Sequence, residues 1–222
     1  MNTLVNKFCE IAKKVNEEFF ENLEKRACPD ILAGYNGKFY FSKKEREKVS
    51  ISDLSTDSYK ECTTIVIVLE SPHTYEYSSE NKFGPTPAIG KTGTNLQDYF
   101  NQDKIFEKIE RTDEYQNYRV VLMNVIQYQC SLGVSTKIFR DDIFDGLLED
   151  DDIVSDFVNR LSSYNPKVIF NGCTEGKNKK RKKKISKIIR DNFVDVILFE
   201  MNHPSCWERK KDGSFRNVNE VL

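Results

Sequence analysis

The stretch Thr63–Leu69 reads TTIVIVL and runs directly into Glu70-Ser71-Pro72-His73. A short, near-continuous β-branched run of this kind is apolar on both faces, which suits a strand of a parallel sheet covered by helices rather than a half-exposed strand. Three further runs have the same character, at Arg119–Asn124, Lys167–Phe170 and Val194–Phe199. Helical stretches lie between them at Gly93–Ile109, Asp141–Tyr164 and Lys179–Asn192. This alternation predicts an α/β fold, a three-layer α/β/α sandwich around a central four-stranded, mostly parallel sheet. In such folds ligands bind beyond the carboxyl ends of the strands, so the residues just after each run are where chemistry is to be sought.

Upstream, Leu4, Phe8, Ile11, Val15 and Phe19 form the stripe of an amphipathic helix over residues 3–25. Cys28 to Asp57 reads as connection, with a short strand at Lys38–Phe41. A chain of 222 residues favours one domain. Residues 1–60 are expected to be an N-terminal helix and extension, and 61–222 the core.

A mean hydropathy of -0.60 with 31% charged residues describes a water-soluble globular chain and excludes collagen-like and disordered classes. The longest apolar run is the five residues Ile65–Leu69, far below the roughly 20 needed to cross a bilayer, so no membrane association and a cytoplasmic location are expected. Six cysteines, at 9, 28, 62, 130, 173 and 206, form no CxxC pair. They read as reduced thiols, and neither a disulfide framework nor a metal cluster is expected.

The net charge of -1 hides an asymmetry, with 14 Lys/Arg against 7 Asp/Glu in residues 167–222 and 20 against 28 in residues 1–166. The basic excess centres on Lys177–Lys187 (KNKKRKKKISK), the acidic excess on Asp141–Asp156. Local positive charge serves phosphate binding, but a Lys-rich run leading into Ile185, Ile188 and Ile189 also suits the solvated face of a helix.

The strand ends carry the chemistry. The first run is followed by Glu70, the second ends in Asn124, the third leads into Asn171-Gly172-Cys173, and the fourth is followed by Asn202-His203-Pro204-Ser205. A carboxylate, an amide and an imidazole separated by 54 and 79 residues would meet only through the fold. Each has an ordinary alternative: Glu70 as a cap or ion-pair carboxylate, Asn124 as a strand-end amide, His203 as a structural imidazole.

Four stretches in order, IVIVLESPHTYEY with the following FGPTPAIGKTGTNL, VVLMNVIQYQCSLG, PKVIFNGCTEG and MNHPS, together resemble the motifs of the uracil-DNA glycosylase superfamily over roughly residues 62–207. The nearest branch is the one whose first motif reads Gly-Glu-Ala-Pro-Gly. The resemblance implies that Glu70 is the acid that positions water and offsets positive charge on the sugar, that Asn124 reads the pyrimidine edge, and that His203 donates to the departing base. It places Ser71, His73 and Ala88 at the base, and Ser205, Gly90 and Lys91 on DNA phosphates. Trp207 or Arg209 would be the wedge that replaces lost stacking, although a lone tryptophan is equally suited to a buried anchor.

The chain departs from that branch in three ways. Pro87-Ala88-Ile89-Gly90 lacks the phenylalanine that stacks on the base, so the pocket is expected to be larger unless Phe83, Tyr75 or Tyr77 supplies the ring. His73 replaces a glycine, and the cysteines that hold an iron–sulfur cluster have no counterparts. The expectation is a monofunctional DNA glycosylase, monomeric, using water and no cofactor or metal, and acting on uracil or a modified pyrimidine. Two alternatives stay open: a nucleic-acid-binding or sensor module without turnover, and a small-molecule enzyme acting on a nucleoside or nucleotide.

Overall fold

The computed structural model describes residues 3–79, 81, 83–102, 117–133, 139–210 and 215–216. Its strands are β1 (Ile31–Tyr35), β2 (Lys38–Phe39), β3 (Thr63–Leu69), β4 (Tyr118–Asn124), β5 (Pro166–Asn171), β6 (Ile197–Glu200), β7 (Glu208–Arg209) and β8 (Phe215–Arg216). Its helices, numbered in chain order, are α1 (Thr3–Val15), α2 (Glu17–Glu21), α3 (Lys43–Arg46), α4 (Lys91–Phe100), α5 (Arg140–Leu147), α6 (Asp151–Ser163) and α7 (Arg181–Asn192).

The four expected strands form the parallel centre of the sheet, ordered β4-β3-β5-β6. The sheet has six strands rather than four, because β1 pairs antiparallel with β4 and β2 with β1. Part of the segment read as connection is therefore a hairpin of the sheet. Its turn is Asn36-Gly37, both at positive φ (41° and 77°), the dipeptide that suits the tight hairpin turn matching strand twist. Gly34 is required across that hairpin, since a Cβ there would stand 2.6 Å from the Phe39 ring.

Apolar residues of both sheet faces are buried. On one face Val66, Val68, Val121 and Ile169 pack with Phe8 of α1, Phe20 of α2 and the inner sides of α5, α6 and α7. On the other, Ile65, Ile67, Val120 and Phe170 pack with Phe39, Phe41, Trp207 and α4. Residues 3–60 thus contribute to both the sheet and the core.

Two long helices of the sequence are broken by caps. Asn16 ends α1 and caps α2, its Oδ1 accepting the Phe19 N–H at 2.7 Å. Asp150 separates α5 from α6 by accepting the N–H groups of Asp152 and Ile153 at 3.0 and 3.2 Å. Helix α4 ends at Phe100, and the rest of the stretch to Ile109 lies outside the described residues from position 103 on. Among the described residues no helix is long and apolar enough to cross a membrane.

The register brings the strand ends to one edge. Leu69 pairs with Asn124, Val68 with Asn171 and Asn171 with Glu200. The chain goes from β3 to β4 on one side and then to β5 on the other, so the connections diverge at the β3/β5 boundary, the position where open α/β sheets form a crevice.

Candidate functional site

A cleft of about 350 Å³ opens at that edge, and Glu70, Asn124 and His203 all line it. Ser71, His73, Gly90, Lys91 and Ser205 line it as well.

Glu70 is buried, 6% exposed. Its Oε1 accepts the Thr174 hydroxyl at 2.5 Å and Arg181 Nη1 at 2.6 Å. Burial works to raise its pKa, but Arg181, His203 and the Thr174 hydroxyl outweigh it and hold the carboxyl below its ordinary value. Glu70 is therefore an anion at neutral pH, and both of these partners bind Oε1.

Arg181 comes from the lysine-rich run, read from sequence as a solvated face. The structure corrects this for its inner side: Arg181, Lys182, Ile185, Ser186 and Ile189 are buried. Arg181 also binds Asp141 and Asp145, each at 2.8 Å, and its guanidinium lies 4.6 Å over the Phe144 ring. The signal was present, since 181, 185 and 189 are spaced at four and share one helix face.

Asn124 is 2% exposed, and its Nδ2 has no hydrogen-bond partner among the described residues. A buried donor left without a partner is costly, so it marks a place where a ligand or water acceptor belongs. Its carbonyl is held from behind. Arg160 Nη1 donates to Asn124 O at 3.1 Å and Nη2 to Val125 O at 2.9 Å, while Asp30 and Asp156 fix the guanidinium at 2.9 and 2.8 Å.

His203 caps the turn Pro204–Cys206, its Nδ1 accepting the Ser205 backbone N–H at 3.2 Å with Ser205 Oγ at 2.8 Å. A backbone N–H only donates, so Nδ1 is unprotonated and the ring proton sits on Nε2. Burial lowers the His203 pKa, Glu70 opposes this, and Arg140 and Lys182 reinforce it. The imidazole is thus a neutral donor.

His73 is similar. Its Nδ1 accepts the Tyr75 N–H at 3.3 Å, burial lowers its pKa, and its ring stacks on Tyr75 with centroids 5.2 Å apart. Tyr75 is 69% exposed and lines the cleft, whereas the Tyr77 hydroxyl donates to Gln127 O outside it.

Two expected site residues are placed otherwise. Ala88 is 1% exposed in the core at φ 58°, and it does not line the cleft, so its small side chain does not enlarge the pocket. Trp207 is 1% exposed, packs on Tyr99 at 4.9 Å and donates from Nε1 to Asn202 O at 2.8 Å, the geometry of an anchor and not of a wedge. The Arg209 side chain lies outside the described residues.

Two charged cleft residues were not anticipated. Arg140 lines it, tied to Asp141 at 2.9 Å. Glu76 lines it as a buried carboxyl, and burial pushes its pKa up to about 7 against the pull of two backbone amides and Arg46. The His73/Glu76 spacing of three is that of a capping box, the one local signal for its placement. Among the described residues no group of three or more His, Cys, Asp or Glu converges as metal ligands do, and all six cysteines are free thiols. Comparison with protein-family models, with curated proteins and with solved structures returned no match for this chain.

Proposed function

We propose that the protein is a monofunctional DNA glycosylase that hydrolyses the N-glycosidic bond of an everted pyrimidine, with the three-layer sandwich of the uracil-DNA glycosylase superfamily as its scaffold. The observation that carries this reading is the convergence of Glu70, Asn124 and His203, from three separate strand ends, on one cleft.

The roles follow from the chemistry of each group. Base release builds positive charge on the sugar, and the fixed Glu70 anion stabilises it, with Oε2 left to orient the attacking water. Negative charge builds on the departing base. The neutral His203 ring donates its Nε2–H to it. The unpartnered Asn124 Nδ2 donates to a carbonyl of the base. The exposed Tyr75 ring, stacked on His73, offers an aromatic surface where Ala88 offers none. Gly90, Lys91 and Ser205 at the cleft suit the flanking phosphates. Uracil and pyrimidines bearing a larger 5-substituent are the substrates proposed.

A second reading, a DNA-binding module without turnover, is favoured by one observation: Glu70 already has a full-strength salt bridge to Arg181. Glu70→Gln separates the two. In single-turnover assays on oligonucleotides containing uracil or 5-substituted uracils, an enzyme loses base release by about 100-fold while retaining DNA affinity. A binding module shows no release in either form.

A further inference from the structure

We propose that Glu76 is a positioning residue that holds the two walls of the cleft in register, with Arg46 as its counterpart beneath the loop. One wall is the turn Thr74–Tyr77 that follows Glu70 to His73, and the other is the loop 84–90 that leads into α4. Glu76 joins them with two hydrogen bonds and closes its own turn with a third. Its Oε2 accepts the His73 N–H at 3.0 Å, its Oε1 the Ala88 N–H at 2.5 Å, and its carbonyl the Thr86 N–H at 3.2 Å.

Arg46 grips the same loop from the other side. It is fully buried, donating from Nη1 to Pro87 O and from Nε to Tyr40 O, both at 2.7 Å. The carbonyl and the N–H of one peptide group, that between Pro87 and Ala88, are thus held by a cation and an acid. Ala88 sits at φ 58°, a backbone state that a residue with a Cβ adopts only when its surroundings impose it. The loop also lies hard against the first turn of α4, where a Cβ on Gly93 would stand 1.9 Å from Ala88 O. Moving Ala88 therefore moves Gly90, Lys91 and Thr92, which line the same cleft as His73.

The grip depends on the charge of the carboxyl. Only the ionised form accepts on both oxygens freely, because a protonated oxygen is a donor facing an N–H. The titratable and charged groups that bear on Glu76 are Arg46 of α3, Cys28 ahead of β1, and His73 and Tyr77 of its own turn. With burial holding its pKa at about 7, Glu76 changes charge in the neutral range. The walls are pinned above it and loosened below.

The activity part of the test rests on the glycosylase reading, and the exchange part does not. In the full-length protein, amide exchange protection at His73 and Ala88 is measured between pH 5.5 and 8.5, with Glu76→Gln alongside. Protection at both amides should drop by about tenfold as pH falls through 7, and in Glu76→Gln it should be low at one of them and independent of pH. On a uracil-containing oligonucleotide, KM should rise by about tenfold in Glu76→Gln while kcat changes less than threefold, and the wild-type KM should rise on acidification where that of the variant does not. Equal, pH-independent protection in both proteins overturns the proposal, even where activity is seen. Absence of base release with the exchange pattern intact overturns the glycosylase reading alone. Should Glu76→Gln fail to fold, the wild-type pH profile of Ala88 protection decides by itself.

Discussion

Glu70 Oε1 and Arg181 Nη1 stand 2.6 Å apart with both side chains out of solvent, joining the end of β3 to the first residue of α7. Arg181 also carries Asp141 and Asp145, so one cation faces three acids. Removing one partner of a buried pair leaves uncompensated charge, and Arg181→Met should cost about 3–5 kcal/mol in urea denaturation at pH 7. Glu70 and Asp141 are both held below their ordinary values of 4.5 and 3.8, in each case by Arg181 working against burial. The stability they contribute is complete above that range and is lost as pH falls through the lowered pKa values. Wild type should lose stability on acidification below about 4.5, and Arg181→Met should lose much less there.

His203 presents a neutral ring whose proton is directed to Nε2 by the Ser205 N–H. Because burial lowers its pKa from 6.5, base release at saturating DNA should hold steady through neutral pH and fall only where the ring becomes protonated on the acid side. His203→Asn should lower single-turnover release by about 10²–10³ with DNA affinity unchanged. Nitrogen NMR should find Nδ1 unprotonated at pH 7. A protonated Nδ1 there contradicts the assignment.

Arg160 supports Asn124 without reaching the cleft. Lysine keeps the charge but not the planar fork that holds the carbonyls of Asn124 and Val125 together. Arg160→Lys should lower stability by about 1–2 kcal/mol and raise KM more than it lowers kcat. An effect confined to stability would limit Arg160 to a structural role.

Trp207 separates an anchor from a wedge. Truncating a fully buried tryptophan leaves a cavity, so Trp207→Ala should lower unfolding stability by about 3–5 kcal/mol. A variant of unchanged stability but weakened binding to duplex DNA would return Trp207 to the interface.

The parallel strands were legible because their apolar runs are buried on both faces, and Glu70, Asn124 and His203 because polar residues at strand ends project where such sheets open. What local letters could not carry lies in long-range pairing. Strand β1 carries a register shift between Leu32 and Gly34, and its role depends on β4, far on in the sequence. Arg181 stands among lysines that, Lys182 apart, face solvent, and only the spacing to Ile185 and Ile189 marks it as inward-facing. Ala88 sits one residue after a proline in a segment that looks like open loop, yet Glu76 and Arg46 draw it into the core. Glu76 owes its raised pKa to burial under segments distant in sequence, and locally only its capping-box spacing from His73 marks its placement.

The most direct measurement is a crystal structure of Glu70→Gln bound to an oligonucleotide with a single uracil or 5-substituted uracil. The pyrimidine should be turned out of the stack, with its acceptors within hydrogen-bond distance of Asn124 Nδ2 and His203 Nε2. DNA seated on another face, or a base left in the stack above an unfilled cleft, would contradict it.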